Sequence, residues 1–117
     1  MSKNFRIAKG QFKSLATGYG GCIASDMITV GGYLVRWMYR EIPDFDTDSG
    51  WRFFSGYEDD EYTQNASNHE IYDVNTIANY DPSIIPHLNA AVGSAFEKPS
   101  ESERFLPVTD WVADGPN

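Results

Sequence analysis

Asp44-x-Asp46-x-Asp48 is the densest run of metal-type ligands in the sequence and has the spacing that opens a calcium loop. Such a loop needs glycine at position 6 and a bidentate glutamate at position 12. Counted from Asp44, those places hold Ser49 and Ser55, so the run reads as a solvated acidic turn. His69 and His87 lie 18 positions apart, and neither has a cysteine or second histidine at ligand spacing. His69-Glu70 is not followed by the second histidine of a zinc signature, because position 73 is Asp73. Cys22 sits in an apolar stretch and reads as a small core residue. Ser25-Asp26 has no context for a nucleophile–base arrangement. Glu58-Asp59-Asp60-Glu61 offers many carboxylates, but acid/base work needs one of a pair desolvated, and this run reads as solvent-facing. No enzyme, metal or cofactor is expected.

The composition sets wider bounds. The chain has 117 residues, 41% hydrophobic and 15% aromatic, too rich in aromatics for a disordered chain. Its formal charge of −8 excludes a direct nucleic-acid binder, which needs a basic footprint. The charge is unevenly placed. Residues 1–40 carry six basic residues against Asp26 alone, a net +5. Residues 41–97 carry Arg52 against twelve carboxylates, a net −11, and residues 98–117 add −2. Such asymmetry speaks to solubility and partner steering. Residues 1–20 contain no apolar run of the signal-peptide kind, and no stretch approaches the roughly 20 apolar residues of a membrane span. With Cys22 the only cysteine, the chain reads as cytoplasmic, with no membrane partner.

The elements that must position these residues are short. Residues 22–25 and 28–30 are strand candidates, followed by a turn at Gly31-Gly32. Residues 33–40 alternate: Tyr33, Val35, Trp37 and Tyr39 suit a core, while Leu34, Arg36, Met38 and Arg40 mix stems and charges. Pro43 to Gly50 reads as a loop, and Trp51 to Phe54 as a second aromatic strand. The 58–61 acids suit the first turn of a short helix. Asp73 and Asp81-Pro82 are helix-start signals, and Pro86 keeps the second helix short. Residues 91–96 read as a late strand, and residues 105–108 as an edge strand. The expectation is one α+β domain over residues 18–112: a small, mainly antiparallel sheet with short helices in its second half. Residues 1–17 form a basic lead-in, and residues 113–117 a frayed tail.

Trp37, Tyr39, Trp51, Phe53, Phe54, Tyr57 and Tyr62 are expected to be mostly core. Those left exposed beside carboxylates would make an aromatic and acidic patch, with aromatics as anchors and acids steering a basic partner. The surface of Asp44, Asp46, Asp48, Glu58, Asp59, Asp60, Glu61 and Tyr62, with Trp51 or Phe54 nearby, is the candidate.

Six blocks, in order, resemble one family. They are Gly20 to Asp26, Met38 to Glu41, Asp48 to Gly56, Glu58 to Tyr62, Ile71 to Pro82 and Val92 to Glu97. Together they cover roughly residues 18–98, and Ser-Gly-Trp-Arg-Phe-Phe-Ser-Gly (49–56) is the most specific stretch. The sequence resembles immunity family thirty-three of bacterial polymorphic toxin systems, with Tyr57 standing where an acid is expected. The resemblance implies an α+β antitoxin-like protein that binds and neutralises a toxin domain, and it supplies no catalytic residues. The reading from the residues alone leaves open a stand-alone cytosolic regulatory or ligand-binding module, and an oligomeric state that no motif specifies.

Overall fold

Among the described residues, six short strands meet in a single mixed sheet. They are β1 (Gly21–Ser25), β2 (Trp37–Arg40), β3 (Asp48–Phe54), β4 (His69–Asp73), β5 (Ala95–Glu97) and β6 (Leu106–Pro107), in the order β4-β1-β3-β2-β5-β6. Only β1 and β3 run parallel; every other neighbouring pair is antiparallel. Among the same residues, the α-helices α1 (Asp26–Thr29), α2 (Asp60–Gln64) and α3 (Val74–Tyr80) and the 3-10 turns Ala66–Asn68 and Pro82–His87 complete an α+β fold. This computed structural model describes residues 5–7, 10–100 and 104–109. The tail at 113–117 lies outside them. No helix among the described residues is long and apolar enough to cross a membrane.

Strand alternation divides the sheet into two unlike faces. Cys22, Ala24, Met38, Trp51 and Phe53 point to one side and pack with Ile28, Val74, Ile77, Ala78, Ile84 and Leu88. Fully burying Phe53 alone contributes about 1.5–3 kcal/mol. Trp51 also donates from its indole Nε1 to the Leu88 carbonyl at 3.2 Å, tying the sheet to the end of the 82–87 turn. Burial raises the Cys22 thiol pKa well above its ordinary value, in keeping with an inert core residue. Asp81 starts the 82–87 turn by accepting from Ser83 N, and its other oxygen takes Val35 N at 3.0 Å and the Lys98 ammonium at 2.8 Å.

The structure corrects several expectations. Residues 28–30 are not a strand: Ser25 caps α1 by accepting from Met27 N, and Asp26 favours the positive end of the first turn. In the 33–40 run only Trp37–Arg40 joins the sheet. There the core side chain is Met38, while Trp37 and Tyr39 lie half-exposed on the other face. Of the seven aromatics expected to be mostly core, only Trp51 and Phe53 are fully buried. β4 carried no clear alternating signal, because as an edge strand it leaves Glu70, Ile71 and Asp73 exposed. The late strand is shorter than expected, with residues 91–94 left in a turn.

Part of the basic lead-in is strapped to α3. The Asn75 amide oxygen accepts from Leu15 N and Ala16 N, and its nitrogen donates to the Lys13 carbonyl. Asn79 repeats the exchange with both Lys13 backbone groups. The i, i+4 spacing puts both amides on one side of the helix, facing the extended segment. Asn75→Ala removes three of these bonds and is expected to lower stability by about 1–3 kcal/mol. Amide exchange at Leu15 and Ala16 should accelerate well before that of α3; exchange that speeds up uniformly would contradict the strap.

Candidate partner-binding face

The sheet face turned away from the core is built from the alternate residues of four strands. The register sets Trp37 opposite Phe54 and Tyr39 opposite Arg52, with Ile23 between Arg52 and Ile71. The Tyr39 and Phe54 rings lie parallel, 6.0 Å apart between centroids with 4° between planes, and Trp37 is 5.9 Å from Tyr39. His69 stands edge-on to both Phe54 and Tyr62. Thr63 of α2 and Ala66 of the following turn form a wall along this row. Between wall and sheet lie two adjoining hollows that share Tyr39, Phe54 and Thr63. One, of about 470 Å³, reaches Ile23, Arg52 and Ile71; the other, of about 440 Å³, is lined by Trp37, Gly56 and Glu58. Ile71 is 61% exposed, an apolar side chain offered to solvent at the trough's edge.

Arg52 holds the floor of this face. Its guanidinium takes both oxygens of Asp48, at 2.9 and 2.7 Å, and reaches Glu41 at 2.5 Å. Burial raises the Asp48 carboxyl pKa, but the Arg52 hydrogen bonds and the amides of Asp44 and Gly50 outweigh it, leaving the carboxyl below the usual range. Gly50 lets β2 close on this network. Its φ is +89°, and a Cβ there would run into the Glu41 carbonyl oxygen, so only glycine fits.

The acidic run after β3 is divided between structure and surface. Glu58 turns inward, accepting from Ser55 N, the Ser55 hydroxyl and Gly56 N, each at 2.9 Å. Burial raises its pKa, but these donors and the Ser25 hydroxyl outweigh that and hold it low. Asp59 caps α2 by accepting from Tyr62 N at 2.8 Å, and Asp60 and Glu61 are exposed in the first turn. Tyr62 is half-buried beside Ser25, and burial raises its phenol pKa. Asp48 and Glu58 thus ionise more readily folded than unfolded. Their stabilisation is present above the ordinary carboxylate pKa near 4 and is lost as pH falls through their lower folded values. Urea midpoints at pH 7, 5 and 3 should fall steeply over the last step. Glu58→Gln should lose about 1–3 kcal/mol at pH 7 and show a shallower acid slope; an unchanged slope would remove Glu58 from this role.

The ten residues singled out from sequence do not form one patch. Trp51 is fully buried against the helices and Asp48 is spent on Arg52, so neither is a surface contact. Asp44 and Asp46 are exposed at the start of β3, while Glu58, Asp59, Asp60, Glu61 and Tyr62 follow its end. Six strand steps, about 20 Å, separate the two clusters. Phe54 lies between them on the open face. Trp37, Tyr39, Ile23 and Ile71, which complete that face, were missed. The alternation of 37–40 contained the signal, but Trp37 and Tyr39 make the more apolar of its two faces and so suited the core, whereas Met38 is the buried side chain.

Residues 22–109 match the Immunity protein Imm33 domain. The chain belongs to this immunity-protein family. Neither the curated proteins nor the solved structures yield a match to it. Membership gives this Imm33 domain a toxin-immunity role in general terms, and with it a toxin partner. The matched span takes in the four strands that build the open face except for Gly21, the first residue of β1, whereas the segment strapped to α3 precedes it.

Proposed function

We propose that this Imm33 domain neutralises its toxin by binding it through the open sheet face, as a non-catalytic block. The observation that carries this reading is the row of half-exposed rings, Trp37, Tyr39 and Phe54, on a face with acids at both ends. Rigid aromatic anchors on a strand scaffold bind with little loss of side-chain entropy, and peripheral carboxylates speed encounter with a basic surface. A standard interface takes about 800 Å² from each partner, wide enough to reach both acidic ends of β3. Arg52, held by Asp48 and Glu41, forms part of the floor of this face.

Co-expression with the product of the adjacent open reading frame tests the reading. Growth should be restored by this chain and lost when the face is altered in a folded variant. A second reading has its own support. The hollows, about 470 and 440 Å³, fall in the range of small-ligand sites, which suits a cytosolic ligand-binding module. That reading predicts no rescue from any neighbouring toxin.

A further inference from the structure

The hollow at the Phe54 end of the trough is chemically unlike the other. Its lining includes three rings, Trp37, Tyr39 and Phe54, together with Thr63 and Gly56. Glu58 also lines it, with Oε1 accepting from Gly56 N and Oε2 from Ser55. Glu97 pairs in register with Trp37, so its side chain leaves the sheet on the same face, at the rim outside the hollow's lining. Rings supply negative π-faces, and a carboxylate behind them adds a full charge; together they favour a cation over a neutral group. Two cations close to it, Arg52 and Arg36, are engaged elsewhere. Arg52 lines the neighbouring hollow and is bound by Asp48 and Glu41, while Arg36 lies over Tyr57 and donates to the Lys98 and Pro99 carbonyls. Elsewhere the chain already sets its own cations on rings, Arg40 over Trp51 at 5.7 Å and Lys98 over Phe105 at 4.6 Å.

We propose that this hollow receives an arginine side chain of the partner, its guanidinium stacked among Trp37, Tyr39 and Phe54 and its charge answered by Glu58 and Glu97. Arginine fits better than lysine, because a planar, weakly hydrated cation stacks on rings while keeping donors at its edge for the carboxylates. The inference rests on the reading of this face as the toxin-docking surface and names what that surface selects: a partner that projects an arginine from a basic surface. The mostly acidic surroundings, with Glu41, Glu70 and Asp48 against Arg52 in and around the adjoining hollow, add long-range attraction to the local fit.

The test uses the full chain and no toxin. Isotope-labelled protein is titrated with acetyl-Gly-Arg-Gly-amide and, separately, with the peptide carrying citrulline, the uncharged isostere of arginine. The arginine peptide should shift the Trp37 indole N–H and the Phe54 and Gly56 amides saturably, and the citrulline peptide should leave them in place. Trp37→Leu should weaken the response about tenfold. Glu97→Gln, at an exposed position that leaves folding intact, should weaken it about two- to fivefold. Equal shifts with both peptides, or shifts confined to Asp44, Asp46 and Glu61 with Trp37 unmoved, would overturn the site. Growth rescue separates this inference from the one beneath it. A face that protects against toxin but is silent to the arginine peptide removes the cation site and keeps the docking surface. A Trp37 response in a chain whose face variants still protect keeps the cation site and removes the docking surface.

Discussion

Asp48→Ala is expected to destabilise the chain by about 3–5 kcal/mol, because it strands a buried guanidinium. The Asp48 side chain is fully buried and that of Arg52 is 3% exposed, so solvent does not replace the lost carboxylate. Glu41 remains as a partner, but it is 29% exposed and contacts only Nε, which places the effect toward the lower end of that range. For a domain of this size the melting temperature should fall by about 10–25 °C. Replacing Asp48 and Arg52 together with leucine should recover much of the loss, since a buried ion pair is worth little over well-packed apolar side chains. Thermal and urea unfolding of the three proteins decides the matter. A loss below about 1 kcal/mol for Asp48→Ala would show that Glu41 and water suffice for Arg52.

The second large effect is on binding. Ile71→Arg should weaken association with the toxin by roughly thirtyfold or more, the loss of an apolar contact at the trough's edge compounded by a misplaced cation beside Arg52. Ile71 is already 61% exposed, so the variant should fold with unchanged stability. Leu15→Arg is the matched control: Leu15 is also exposed, but it is strapped to α3 on the helical side. Its affinity should stay within about threefold of the parent, and growth rescue should follow the same order. Equal losses in both variants would point to charge alone, with no place for the open face.

Much of the scaffold was legible in the sequence because local chemistry decides it. Asp73 and Asp81-Pro82 start their helices through side-chain caps, and the alternation of Trp51-Arg52-Phe53-Phe54 assigns each residue to its true face. The candidate site was harder to read because its residues satisfy two descriptions at once. Trp37 and Tyr39 look like core residues until the sheet is seen to have helices on the Met38 side. Asp48 and Glu58 look like solvated acids until Arg52, Ser55 and Gly56 are found around them. The most specific block of the family resemblance, 49–56, mixes core and face: Trp51 and Phe53 are buried against the helices, while Arg52 and Phe54 line the trough. Asn75 and Asn79 gave no local sign of the strap, whose partner lies some sixty residues away.

The open face as the docking surface is the central claim, and hydroxyl-radical footprinting of the complex with the cognate toxin domain tests it most directly. Oxidation of Trp37, Tyr39, Phe54 and Ile71 should fall sharply when the toxin is bound, while that of Phe5 and Leu15 should stay as in the free chain. Unchanged oxidation of the first four residues, with shielding of Phe5 and Leu15 instead, would contradict the account.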